Sequence, residues 1–289
     1  MTDLSPENIL NKILPFSRYA QRLLQSEPNQ RELLLQNIQH PFLKNEMDAY
    51  LDRHLNNCTD EATLHRILRT LRKTVLLRLI ARDLSGLADL AEVMQSMSAL
   101  AEITLQVATK LHYCWLTNPT RFGIPKGETT NTEQQLVIVA MGKLGGQELN
   151  VSSDIDLIFL YPEEGETNGA KKISNHDFFA RLGRKIISSL NDYTADGFVF
   201  RVDTRLRPYG ERSPLAISFD TLKEYFDTQG REWERHAWIK GHIITQQNGV
   251  ASTLTENIIW PFIFRKYLDF GAYASMRKLH ATLRKEVER

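Results

Sequence analysis

Through residues 1–117 apolar side chains recur at helical spacing, as in Leu64, Ile67, Leu68, Leu71, Val75 and Leu79. That period places one stripe of each helix against a core. Leu87 to Leu116 continues the pattern with few breakers. Ser5-Pro6-Glu7 offers a capping hydroxyl followed by proline in a first turn, a good helix start. No strand signal interrupts this region, so a helical bundle or array is predicted. The rhythm then changes. Thr117 to Gln134 collects Pro, Gly, Asn and Thr and reads as a connector. Leu136 to Met141 is a short continuous apolar run bounded by glycine, and Ile155 to Tyr161 is another; both predict buried strands. Pro162 to Asn175 is a polar loop, and Ser174 with Asp177 resembles a capping box that opens a helix through Asn191. Asp196-Gly197 turns into a third β-rich run, Phe198 to Leu206. Pro208 to Ser218 reads as a loop, and helices resume at about Phe219. The fold class expected is α+β, with a helical N-terminal region, a small mixed sheet with flanking helices, and a helical C-terminal region.

Composition narrows the function classes. Among 289 residues Lys plus Arg number 36 and Asp plus Glu 35, a net charge of +1. A general nucleic-acid binder would carry a strongly basic face, so none is expected. Two cysteines, Cys58 and Cys114, make no disulfide framework and suit a reducing compartment. The stretch MTDLSPENIL has no signal-sequence pattern, and no run reaches membrane-spanning length. A cytoplasmic protein without membrane contact is expected. His112 and Cys114 lie without C-x-x-C or H-x-x-x-H spacing, which argues against zinc.

The candidate chemistry sits between the first two strands. Gly142-Lys143-Leu144-Gly145-Gly146 is a turn whose paired glycines allow sharp bending and close approach to a ligand. Its N–H groups, with Ser153, are expected to face phosphate oxygens. Asp154-Ile155-Asp156 opens the second strand, and alternation gives both carboxylates one face. Paired carboxylates repel each other unless a cation lies between them, and oxygen donors suit magnesium or manganese. Asp203, inside the third β-rich run, is expected to complete a three-carboxylate site for two-metal phosphoryl transfer. On a regular strand Arg201, Asp203, Arg205 and Arg207 share a face. Arg205 and Arg207 could then hold a phosphate, or else pair with the carboxylates or with Glu211 as structural ion pairs. In Arg231 to Lys240, residues Glu232, His236 and Lys240 line one helix face and Trp233 and Ala237 another.

A glycine pair, D-x-D on a strand and a third Asp on a later strand resemble the nucleotidyltransferase fold of the DNA polymerase β superfamily. The strings from Gly142 to Asn150, Ser152-Ser153-Asp154-Ile155-Asp156 and Arg201 to Pro208 resemble bacterial glutamine synthetase adenylyltransferase/adenylyl-removing enzyme. Asn150 to Ser153 and Arg231-Glu232-Trp233-Glu234-Arg235 resemble its N-terminal, adenylyl-removing half. The resemblance implies Asp154, Asp156 and Asp203 as catalytic metal ligands. It also implies a nucleotide or phosphate role for Lys143, Gly145, Gly146, Ser153, Arg205, Arg207, Arg235 and Lys240. His242 stands where this family would have a basic residue. The implied reaction is phosphorolytic removal of AMP from an adenylylated tyrosine of glutamine synthetase, giving ADP and requiring Mg2+ or Mn2+. ATP-dependent adenylylation is the alternative, as is a non-catalytic fragment that binds glutamine synthetase or the PII signalling protein. The division expected is 1–117 helical, 118–134 connector, 135–245 nucleotidyltransferase fold, and 246–289 C-terminal helices. The run to Arg289 has no helix stop, and Met276, Leu279, Leu283 and Val287 form an apolar stripe. A truncated chain that binds metal and nucleotide but lacks full turnover is the expectation.

Overall fold

The structure, a computed structural model, describes residues 5–245, 249–264 and 270–287. In chain order it begins with helices α1 (Pro6–Ile13), α2 (Arg18–Ser26), α3 (Pro28–Asn37), α4 (Lys44–Leu55), α5 (Glu61–Ser85) and α6 (Leu90–Leu116). Strand β1 (Val137–Met141), the single-turn helix α7 (Gly142–Gly145), β2 (Ile155–Tyr161), α8 (Asn175–Asn191) and β3 (Val202–Asp203) follow. After β4 (Ala216–Ser218) come α9 (Phe219–Thr228), α10 (Glu232–Ile239), β5 (His242–Ile243), α11 (Val250–Leu254), α12 (Trp260–Ile263) and α13 (Phe270–Val287). The class is α+β, as expected. On α13 the side chains of Leu279, Leu283 and Val287, part of the expected apolar stripe, lie outside the described residues. Among the described residues no helix is long and apolar enough to cross a membrane.

The expected caps form. Ser5 Oγ accepts from Asn8 N–H at 3.4 Å, and Ser174 Oγ accepts from Asp177 N–H at 3.1 Å. The third β-rich run is the main correction. Only Val202 and Asp203 pair as a strand; Val199 and Phe200 instead donate their N–H groups to Leu190 O at 2.8 and 3.0 Å. The expected loop from Pro208 to Ser218 also contains β4.

The chain packs as two compact units. One comprises Met1–Leu111, Gln147–Ile155 and Lys185–Val202; the other His112–Gly146, Asp156–Arg184 and Asp203–Arg289. In the first, α5 is the spine against which α1, α3 and α4 pack. Asp60 caps it by accepting from Thr63 N–H at 2.8 Å, and Gly86 ends it in the left-handed region at φ 76. Leu64, Ile67, Leu68, Leu71, Val75 and Leu79 are all buried, as their spacing predicts. So are Arg69, Arg78 and Arg82. Arg78 grips Glu46 with both terminal nitrogens at 2.9 and 2.8 Å, and Arg82 grips Glu92 at 2.6 and 2.8 Å. Arg78 and Arg82 thereby each keep a carboxylate and the two-pronged geometry that offsets desolvation.

The second unit holds a mixed sheet of order β3-β2-β1-β5, with β4 also paired to β2. β1 runs antiparallel to β2, from Val137 opposite Leu160 to Met141 opposite Asp156, and antiparallel to β5. β4 is parallel to β2. One face packs Val137, Val139, Met141, Ile158 and Leu160 onto Phe226, Trp238 and Phe262; Phe226 and Phe262 stack 3.8 Å apart. On the other face Tyr161 stacks on Phe179 of α8 at 4.9 Å. Cover on both faces is why β1 is apolar throughout rather than alternating.

Candidate active site

In the second unit the end of β1 fixes the first carboxylate. The chain leaves Met141 through Gly142, at φ 56, and Met141 lies opposite Asp156. A Cβ on Gly142 would stand 2.6 Å from Asp156 Oδ2. Backbone angle and close approach both require glycine there. The expected pair, Gly145 and Gly146, has different duties. Gly142–Gly145 forms a helical turn rather than an open loop, and Gly146 N–H is spent on Gly142 O at 3.1 Å. A Cβ on Gly145 would meet Lys240 O at 2.1 Å and Ala140 O at 2.7 Å, so this glycine lets two backbone segments pack. Lys143 is exposed on the same turn.

Asp203 lies on β3, which neighbours β2 in the sheet. Its side chain is only 17% exposed, and Arg205 holds it. Arg205 Nε lies 3.1 and 2.8 Å from the two oxygens, Nη2 lies 2.5 Å from Oδ2, and the Arg205 N–H donates to Oδ1 at 2.8 Å. These bonds from Arg205 hold the Asp203 carboxyl below its usual range, outweighing the upward pull of burial. The same pairing raises Arg205, with a smaller contribution from the charge of Asp156. Arg207 turns away from the carboxylates. It donates to Thr204 O at 2.8 Å and to Glu211 O at 2.6 Å, and so braces the turn after β3. The shared face expected for residues 201–207 does not exist, because the strand stops at Asp203.

In the first unit Ile155 N–H donates to Arg201 O at 2.9 Å. Asp154 is exposed and ion-paired with Arg201, which also donates to Ser152 O at 2.8 Å. Ser153 Oγ donates to Asn150 Oδ1 at 2.7 Å. Guanidinium groups therefore serve as counter-ions of Asp154 and Asp203. Among the described residues no group of three His, Cys, Asp or Glu side chains is gathered closely enough to hold a metal ion.

Of the α10 candidates, Arg235 is committed to packing. Its guanidinium lies 4.2 Å from the centre of the Phe262 ring, donates to Phe262 O, and is 3.5 Å from Glu232. Lys240 is exposed at the end of α10, and its carbonyl faces Gly145. His242 is exposed on β5, opposite Ala140. Three further residues stand beside this site: Arg231 and Trp233, which the sequence places in a family-like string without a site role, and Tyr209, which it does not single out. Tyr209 takes a left-handed φ of 63, Trp233 is 42% exposed, and Arg231 stands between α9 and α10. The signal available for the first was Pro208-Tyr209-Gly210, a turn triplet directly after the arginines.

Comparison with known proteins matches residues 8–257 to the family model described as glutamate-ammonia ligase adenylyltransferase. The chain is 60% identical over 282 residues to the bifunctional glutamine synthetase adenylyltransferase/adenylyl-removing enzyme of Nitrosomonas eutropha. It is 61% identical over 282 residues to the protein of that name from Nitrosomonas europaea, and 50% over 274 residues to that of Chromobacterium violaceum. These matches cover 98%, 98% and 95% of this chain. The chain spans about 30% of the length of these curated relatives.

Proposed function

The chain belongs to the glutamate-ammonia ligase adenylyltransferase family, and on that premise we propose that it removes AMP from an adenylylated tyrosine of glutamine synthetase. Inorganic phosphate is the attacking group, and ADP and free tyrosine are the products. The observation that carries this reading is Asp203, gripped by Arg205 on a strand beside that of Asp156. It occurs in a chain whose relatives are named for glutamine synthetase adenylylation and its removal.

Carboxylate oxygens are the donor set that magnesium or manganese prefers, and Asp156 and Asp203 are the ligands the second unit offers. Asp154, two residues upstream, is the further carboxylate offered by the sequence spacing. Such an ion would neutralise charge on the transferred phosphoryl group. Arg205 must then release Asp203, and its exposed guanidinium, 71% accessible, becomes a holder for the incoming phosphate. Gly142 keeps the Asp156 carboxylate close to the backbone, which fixes it without a competing side chain. Positioning and charge stabilisation account for most of the barrier reduction in such transfers.

The test incubates the chain with AMP-tyrosyl glutamine synthetase, phosphate and magnesium, and follows ADP. ADP is expected from the wild type and not from Asp156→Asn or Asp203→Asn variants of unchanged thermal stability. A folded wild type that makes no ADP, or variants that make it at the wild-type rate, would refute the proposal. AMP incorporation from ATP into unmodified glutamine synthetase would assign the opposite direction.

A further inference from the structure

A cleft of about 340 Å³ opens in the second unit between the turn after β3 and helix α10. Arg205, Arg207 and Arg231 line it together with Tyr209, Trp233 and Glu234. Arg205 is paired with Asp203, which leaves Arg207 and Arg231 facing the lining carboxylate of Glu234. That carboxylate faces inward. Glu234 is 5% exposed and accepts from Tyr225 Oη at 2.5 Å and from Arg231 N–H at 2.8 Å. Burial, followed by the hydrogen bond to Glu234 and then its charge, raises the Tyr225 hydroxyl above its ordinary range, so it remains the donor of that pair. Arg207 is fixed by the uncharged carbonyls of Thr204 and Glu211, so its charge is oriented without being neutralised.

The aromatic side chains are as unusual as the charges. Trp233 is 42% exposed and Tyr209 43%, in a unit whose core buries Trp238, Phe226 and Phe262. Tyr209 also holds a left-handed backbone, φ 63, which L-residues with a bulky side chain avoid. That conformation sets its ring edge-on to Tyr225, 4.7 Å away. Backbone strain of this kind persists where surrounding structure demands it, and it gathers at ligand sites. A site for a bare anion needs guanidinium groups and no exposed rings. Guanidinium groups beside aromatic faces are what a planar ring joined to a phosphate requires, by stacking and by two-pronged hydrogen bonding.

We propose that this cleft binds a ring-bearing phosphate ester, with Trp233 and Tyr209 as the ring's platform, Arg231 as the phosphate's anchor and Arg207 as a fixed positive charge beside it. The inference deepens the proposed function and rests on it. Arg205 lines the cleft and grips Asp203 at once, so the ester would lie beside the reacting carboxylates. An AMP-tyrosyl diester has two ring-bearing ends, adenosine and tyrosine, and both carry this chemistry.

Titration calorimetry of the chain in EDTA, with AMP, phenyl phosphate and inorganic phosphate, tests it without metal or turnover. At least one ester should bind about fivefold or more tighter than inorganic phosphate, the least that one stacked ring is worth. AMP as the tighter ester identifies the nucleotide end, and phenyl phosphate the tyrosyl end; either result supports the cleft. Trp233→Ala should weaken the ester about fivefold or more and leave inorganic phosphate unchanged, and Trp233→Phe should restore most of the loss. Arg231→Gln should weaken all three ligands. Equal affinity for ester and phosphate, or an unaffected Trp233→Ala variant of wild-type thermal stability, would overturn the proposal. Those outcomes are separable from failure of the adenylyl-removing reading, because ADP formation can persist when the cleft does not bind the ester.

Discussion

Arg69 is the side chain whose removal should damage the first unit most. It is 0% exposed, and its guanidinium spends its donors on backbone carbonyls. Nε reaches Gly197 O at 2.8 Å, Nη1 reaches His65 O at 3.1 Å and Ser189 O at 3.0 Å, and Nη2 reaches Asp192 O. Ser189 lies in the last turn of α8 and Asp192 just beyond it, where helix carbonyls have no partner within the helix. Arg69 thus caps α8 from α5 and places a positive charge at the negative end of its dipole. In Arg69→Met the apolar stem is kept and the donors are lost. Hydrogen bonds to a charged group contribute about 1.5–3 kcal/mol each. Three non-local ones would sum to roughly 4.5–9 kcal/mol if independent, but they act as one unit and some carbonyls regain water. We expect about 4 kcal/mol, just below that sum. At about 2–4 °C per kcal/mol, the melting temperature should fall on the order of 10 °C. Arg69→Lys should recover part of this, because one ammonium cannot span carbonyls that a planar fork reaches. Urea unfolding followed by far-UV circular dichroism gives the measurement. A loss below about 1 kcal/mol for Arg69→Met, or a lysine variant as stable as wild type, would refute the capping argument.

Gly145→Ala should destabilise the second unit by about 3 kcal/mol, because the new methyl meets two backbone oxygens that cannot step aside. Gly86→Ala, where nothing lies within 4 Å, should lose only about 1 kcal/mol of left-handed backbone preference; similar losses in thermal unfolding of the two variants would contradict this. Glu163 accepts from Thr129 N–H at 2.6 Å and Thr130 Oγ1 at 2.6 Å, and these bonds, that of the Thr130 side chain foremost, hold its carboxyl below the usual range. Its stabilisation is therefore present above the unfolded-state pKa of about 4.3 and is lost as pH falls through the lower folded value. Glu163→Gln should lose no more than about 1 kcal/mol at pH 7, since the group is solvent-screened and the amide keeps one acceptor oxygen, and urea midpoints should show the gap to wild type closing in acid; a gap independent of pH would mean that the carboxylate charge is not involved.

Elements long enough to carry a period were readable from the sequence. β2 was bounded correctly because seven apolar-rich residues run between polar turns, and the helical character of α5, though not its ends, was readable from the spacing of Leu64 to Leu79. β3, β4 and β5 have two or three residues each, too few to show alternation, and they form only where neighbouring strands present unpaired groups. The error at β3 carried into the site. With a strand through residue 207, the arginines would flank Asp203 on one face. The strand ends at Asp203, whose Oδ1 takes the Arg205 N–H, a local turn closed by side chain and backbone. That turn folds Arg205 back onto its own carboxylate and frees Arg207 to brace the next turn. The buried arginines of α5 failed to show for a related reason. Arg69, Arg78 and Arg82 are cations along a helix, and a cation there ordinarily reads as part of a solvated face. Whether such a face is solvated depends on what lies opposite, and for Arg69 that is Ser189, Asp192 and Gly197, more than a hundred residues along the chain. Helical spacing records which residues share a face. Only the partner's unsatisfied carbonyls decide that a charged face goes inward.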